Sequence, residues 1–262
     1  MNKTITEDLT FGIRSVIEAI KQGKTINKIL LQKGLSGELI KELLDLVHKE
    51  NIVVQKVPVQ KLNHMVKKNH QGVIAMISPV AYHQIDWLVQ QVYEKGEDPF
   101  ILILDRVKDV RNFGAIARTA ECFGVHAIVI PSKDSALVTN DAIKTSAGAL
   151  FKIPVCKVTS LNAALDFLKG CGLKIFACTE KSDTFINKVE SPGPKALIMG
   201  SEQDGVDSNL IKASRPSWPQ IQILQKYGIT YINDFFYGEN LFQLLADFQK
   251  PEWRTEYLNA IE

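Results

Sequence analysis

The chain contains few cysteines, and Cys122, Cys156, Cys171 and Cys178 form no Cys-x-x-Cys pair and have no histidine at zinc-ligand spacing. A structural zinc site and a disulfide framework are therefore not expected, and the four read as small buried hydrophobes. No apolar run approaches the roughly 20 residues that a membrane span needs, and the opening Met1-Asn-Lys-Thr-Ile-Thr-Glu-Asp has no signal-peptide core. A cytoplasmic protein without a membrane partner is the expectation. Neither Gly-x-Gly-x-x-Gly nor a Walker loop occurs, which argues against the common dinucleotide and NTP sites. With 16 glycines and 10 prolines, usage is close to average, so repeat and low-complexity readings fall away.

Present instead are 262 residues, 45% of them apolar, enough to bury a large core in one or two domains. Charge is nearly balanced overall, 31 basic against 29 acidic side chains, but not along the chain. Residues 1–80 hold 12 basic and 7 acidic side chains, leaving 19 against 22 for the remainder. A basic front half suits an anionic partner.

Helical spacing at Phe11–Ile20 and Ser36–His48 alternates with short β-branched runs at Ile26–Leu31, Ile52–Val54 and Gly72–Ile77. The pattern predicts a small α/β module over residues 1–80. Residues 81–98 read as a connection carrying one short helix. A second module, 99–262, opens on Phe100-Ile-Leu-Ile-Leu104, a continuous apolar run typical of a strand covered on both faces. Strands near 127–130, 173–178 and 196–199, with helices near 112–123 and 161–168, predict a parallel sheet with its ligands at the carboxyl ends of the strands.

Two loops at such strand ends stand out. Asp105–Ala120 carries Asn112, Gly114 and Arg118, and Asn112 and Arg118, six residues apart, converge only if the chain bends between them. Either Asn112 or Asp109 can cap the helix that follows. In Gly200-Ser-Glu-Gln-Asp-Gly205, two glycines bracket Glu202 directly after a buried strand. Taken alone, Arg118 reads as a surface ion-pair residue and the glycine loop as a turn.

Together they resemble the SpoU family of RNA ribose 2′-O-methyltransferases, within the SPOUT superfamily. Asn112-x-Gly114-x-x-x-Arg118-Thr-Ala is similar to that family's first motif, and Leu197-Ile-Met-Gly-Ser-Glu-x-x-Gly205 to its second. Phe11-Gly-Ile and His70-Gln-Gly-Val-Ile-Ala75 resemble its substrate-binding domain, in a combination nearest the ribosomal-RNA guanosine enzymes. The resemblance implies an L30e-like RNA-binding domain followed by a methyltransferase domain tied as a trefoil knot, an exception to the rule against knots. It also implies S-adenosylmethionine as cofactor, a homodimer with the active site at the subunit interface, and ribosomal RNA rather than transfer RNA or DNA as partner. By the same resemblance Arg118 is the base or hydroxyl-polarising group, and Asn112 and Glu202 orient it and the ribose. Thr179, Gly200 and Ile221 contact the cofactor, while Lys67, Lys68 and His70 are placed to touch RNA phosphates.

The tail departs from this pattern. The family's third motif, an Ile-Pro-Met-like strand and then Ser-Leu-Asn opening the last helix, is expected after residue 214. The chain instead reads Arg215-Pro-Ser-Trp-Pro-Gln-Ile-Gln-Ile-Leu224, then Tyr227-Gly-Ile-Thr230. Codons for Arg215-Pro-Ser217 read one nucleotide later can encode Asp-His-Leu, and those for Tyr227–Thr230 Met-Glu-Ser-Leu, as a frameshift would produce. A protein that binds RNA without transferring methyl groups is the alternative this tail raises.

Overall fold

The computed structural model describes residues 9–179, 192–214 and the short strands 184–185 and 221–222. It divides into two compact units, residues 1–81 with 137–140, and residues 82–136 with 141–262.

The first unit runs β1 (Leu9–Phe11), α1 (Ile13–Lys21), β2 (Ile26–Gln32), α2 (Glu38–Lys49), β3 (Val54–Val57), α3 (Val59–Met65) and β4 (Val73–Ile77). Its sheet has the order β1-β4-β2-β3, with β2 parallel to β3 and the other pairs antiparallel. Because strand side chains alternate between faces, each face of the sheet has its own core. Ile29, Leu31, Val73 and Ala75 pack with Val16, Ile17 and Ile20 of α1 and Ile40, Leu43 and Val47 of α2. On the other face Leu30, Val57 and Ile74 pack with Leu62 of short α3 and Val66 just after it, and the partly buried Leu9, Phe11 and Met65 close the edge.

The second unit continues with β5 (Tyr82–His83), α4 (Ile85–Glu94), β6 (Phe100–Leu104), α5 (Val110–Cys122), β7 (Ala127–Pro131), α6 (Asn140–Thr145), β8 (Val155–Val158) and α7 (Leu161–Gly170). Then come β9 (Lys174–Ala177), β10 (Thr184–Phe185), β11 (Lys195–Met199), α8 (Ser208–Ala213) and β12 (Ile221–Gln222). Six parallel strands form one sheet in the order β5-β8-β7-β6-β11-β9. Every residue of β6 and of β11 is buried, as expected of central strands covered on both faces. Residues 81–98 are not a connection. Tyr82 and His83 form the sheet's edge strand, and Leu88, Val89 and Val92 of α4 enter the main core of this unit.

From β6 the chain winds outward through β7 to β8, then crosses to β9 and β11 on the other side of β6. The order of the strands therefore reverses between β6 and β11, where the loops at their carboxyl ends diverge and leave a crevice. Carboxyl-terminal threading of a knot falls on residues outside the described ones. After residue 214 the strand described is β12, two residues paired in parallel with β10 and separate from the six-stranded sheet.

Candidate active site

At that reversal point, a cleft of about 230 Å³ is lined by Arg106, Val107, Lys108, Asp109 and Asn112 from the loop after β6 and the start of α5, and by Ser201–Asp204 after β11. Asp109 caps α5, its carboxylate accepting the Arg111 and Asn112 amides at 2.8 and 2.9 Å. That settles the capping role and leaves the Asn112 side chain to the cleft wall. Asn112 is only 3% exposed, yet its Oδ1 has no hydrogen-bond partner among the described residues, and neither has the buried Oε1 of Glu202. An unmet buried acceptor costs about 1–3 kcal/mol, so two in one cleft mark a site shaped for a donor that arrives from outside.

Burial, and then the negative charge of Asp109, push the Glu202 carboxyl above the ordinary glutamate range. A carboxyl raised in the fold favours the native state most at low pH, and that contribution is lost as pH climbs from the unfolded value through the folded one. Glu202→Gln is therefore expected to raise the thermal midpoint at about pH 7, with the gain shrinking below about pH 4, where the parent carboxyl is protonated. Melting curves across that range check it, and a midpoint at neutral pH that falls would contradict it.

The two loops are stitched together by a pair that sequence reasoning missed. Asp105, 4% exposed, receives Arg106 Nε on both oxygens at 3.2 Å and Arg106 Nη2 at 3.1 Å, while the Asp207 amide donates to its Oδ2 at 2.7 Å. Arg106 Nη2 also donates to the Gly205 carbonyl at 3.2 Å. Arg106 stands at φ 58°, a conformation a non-glycine residue rarely adopts without compensation, and this network supplies it. An Asp directly after a fully apolar strand was the available signal, because a carboxylate carried into the interior needs a partner.

Gly200 lies where the second loop folds back on itself: a Cβ there would overlap the Gly205 carbonyl group and the Val206 nitrogen. Ser201 and Gly205 exchange backbone hydrogen bonds at 3.2 and 3.0 Å across this turn. Gly114 meets the same need in α5, where a Cβ would come within 2.8 Å of the Ala142 carbonyl and Thr145 Cβ. Thr179 is buried two residues beyond β9, and Gly200 follows β11. Because Ala177 pairs with Ile198, the two end at the same level on adjacent strands.

Three expectations are corrected. The convergence of Asn112 and Arg118 does not occur, because α5 is continuous from Val110 to Cys122; Arg118 is exposed and is not among the cleft residues. His70 is 7% exposed, with Nδ1 accepting the Gly72 amide at 3.0 Å and Nε2 at 2.7 Å from Asn63 Oδ1, so both nitrogens hold the turn before β4 and neither is free for phosphate. Lys67 and Lys68 are exposed. Of the cysteines, Cys122 is exposed, whereas burial pushes the Cys156 thiol up to about 12 and raises Cys178 too, which leaves those two unreactive. The Ile221 side chain lies outside the described residues. No metal-binding cluster occurs, and no helix is long and apolar enough to cross a membrane, among the described residues.

Residues 99–228 match the SpoU rRNA Methylase family, and residues 9–83 match the RNA 2′-O ribose methyltransferase substrate binding domain. A TrmH family tRNA/rRNA methyltransferase of Bacillus subtilis (strain 168), YacO, is 34% identical over 199 residues, covering 76% of this chain and 80% of the relative. The chain belongs to the SpoU (TrmH) family of RNA methyltransferases. A family member from Staphylococcus aureus (strain MSSA476) is 37% identical over 195 residues, 74% of this chain and 79% of its own. Among solved structures, the SpoU methyltransferase AviRb from Streptomyces viridochromogenes, in complex with AdoMet, shares the fold at a TM-score of 0.51 and 18% identity, over 91% of this chain and 88% of that one. The family match ends at residue 228, beyond β12, and leaves 229–262 outside it.

Proposed function

We propose that this SpoU-family chain transfers a methyl group from S-adenosylmethionine to a ribose 2′-hydroxyl of structured RNA, with ribosomal RNA as the expected substrate. The observation that carries this reading is the pair of unmet acceptors, Asn112 Oδ1 and Glu202 Oε1, in the cleft at the strand reversal. Paired acceptors suit groups that donate, and the ribose hydroxyl and a guanidinium both do.

The residues present fit the cofactor. Thr179 and the backbone at Gly200, which end at the same level on β9 and β11, would hold it there. When bound, it supplies an electrophilic methyl group that needs only in-line approach. The protein's task is the hydroxyl, a poor nucleophile until its proton is drawn off. Arg118 would act by polarising the hydroxyl together with an RNA phosphate, while Asn112 and Glu202 fix the geometry.

Arg118 sits outside the cleft of its own chain. A homodimer that brings one subunit's Arg118 to its partner's Asn112 and Glu202 reconciles the two positions. Mixing Arg118→Ala with Glu202→Gln subunits is then expected to restore activity that neither has alone. A mixture as inactive as its components would remove the shared site.

The second reading, RNA binding without methyl transfer, is favoured by the missing Ser-Leu-Asn after residue 214. Thermal melting with S-adenosylmethionine separates the two. A ligand at about 100 times its dissociation constant stabilises the native state by roughly 2.7 kcal/mol, so catalysis requires a clear rise in midpoint. No shift at millimolar cofactor would favour the binding-only reading.

A further inference from the structure

The first unit confines its acidic side chains, though not its basic ones, to one face of its sheet. All five acidic side chains among its described residues, Glu18, Glu38, Glu42, Asp45 and Glu50, lie on α1, on α2 or at the residue ending α2. No Asp or Glu occurs in β2 or anywhere from residue 51 to residue 85, a stretch that includes β3, α3 and β4. On the α1/α2 side Lys21 pairs with Glu42 at 2.8 Å. On the α3 side Lys28, Lys61, Lys67 and Lys68 make no ion pair among the described residues.

Lys28 belongs to that side by register. It pairs with Met76 and lies two residues before Leu30, whose side chain packs in the α3 core. It is half-buried, and burial followed by the like charge of Lys61 on α3 lowers its hold on a proton. Two ammonium groups held close together without a carboxylate are a strain that an anion placed between them relieves. Lys67 and Lys68 follow the end of α3 and extend the row. Beside it lie the half-buried Leu9, Phe11 and Met65, because this face has only one short helix to cover it.

We propose that the α3 face of the first unit is where the RNA backbone docks, with Lys28 and Lys61 sharing one phosphate, Lys67 and Lys68 taking the next, and the acidic α1/α2 face turned away. This rests on the reading of the chain as an RNA methyltransferase and adds to it which surface meets the substrate.

The test uses the full chain and a labelled hairpin oligoribonucleotide, with affinity followed against salt. One variant is Lys28→Gln with Lys61→Gln. The other removes the same charge from the opposite face, Lys41→Gln with Lys49→Gln. The first is expected to weaken binding at low salt by about tenfold, and to flatten the slope of log affinity against log salt by about 0.7–0.9, the share of the one phosphate the two lysines hold. The second is expected to change affinity less than about threefold. Should the double variant fold poorly, Lys61→Gln alone, at an exposed position, is expected to weaken binding in the same direction by a smaller factor, with Lys41→Gln alone as its control. Equal losses from both variants would overturn the proposal, because net charge alone would explain them. A changed oligomeric state in sedimentation with unchanged RNA affinity would overturn it as well, assigning the face to a second copy. A parent that binds no RNA would overturn the underlying reading, and this one with it.

Discussion

Arg118→Ala is expected to abolish methyl transfer while leaving the fold intact. Arg118 is exposed on a continuous helix, so its loss should move stability by no more than about 0.5 kcal/mol. The chemical step should lose far more. Acid–base and polarising help is worth about 10²–10⁴-fold, and lost positioning adds to it. Arg118→Lys should rescue little, because a lysine is a point charge and cannot hold phosphate and ribose through a planar fork. The pair of variants is to be assayed in this chain and in a version whose carboxyl terminus carries Ser-Leu-Asn, with melting curves alongside. Near-parental transfer by Arg118→Ala would return Arg118 to the role of a surface ion-pair residue.

Gly200→Ala has the largest expected effect on stability. The new methyl group would overlap the Gly205 carbonyl and Val206 nitrogen, which are backbone atoms held in place by the Ser201–Gly205 hydrogen bonds and by Arg106. Relief requires the whole turn to open, at a cost of about 3 kcal/mol or more, roughly a 10 °C fall in midpoint for a chain of this size. Glu202 sits inside that turn, so cofactor stabilisation and transfer should be lost together. Gly170→Ala is the counter-case. Gly170 ends α7 without a positive φ, and a Cβ there meets nothing within 4 Å. Alanine should raise stability by about 0.5–1 kcal/mol, because it lowers the entropy of the unfolded chain. If the two substitutions gave equal midpoints, the backbone argument would fail.

The elements that periodicity made visible were those with strong local patterns. The unbroken apolar runs of β6 and β11 and the one-sided stripe of α2 needed no tertiary information. β5 is only two residues long and became a strand through its pairing with β8, which is why residues 81–98 looked like a connection. In β8 a buried Cys156 beside a half-buried Lys157 gave no clear alternation. At the site, Asn112 and Glu202, both taken from the motifs, line one cleft, but the bend invoked to add Arg118 is absent because nothing interrupts the hydrogen bonds of α5. His70 looked like a phosphate ligand by its place beside two lysines; its burial depends on Asn63 and Gly72, which only the fold brings to it. The Asp105–Arg106 clamp reaches Gly205 and Asp207 across about a hundred residues, a separation that no local pattern encodes.

The most direct measurement is transfer of a labelled methyl group from S-adenosylmethionine to ribosomal and transfer RNA by the full chain, followed by alkaline hydrolysis. A methylated 2′-oxygen blocks cleavage at its own phosphodiester, so the account predicts label in an alkali-stable dinucleotide, lost with Arg118→Ala and strongly reduced with Glu202→Gln. Label released in mononucleotides would mean methylation of a base. No label at all, with RNA still bound, would show that the chain keeps its family's fold and substrate without its reaction.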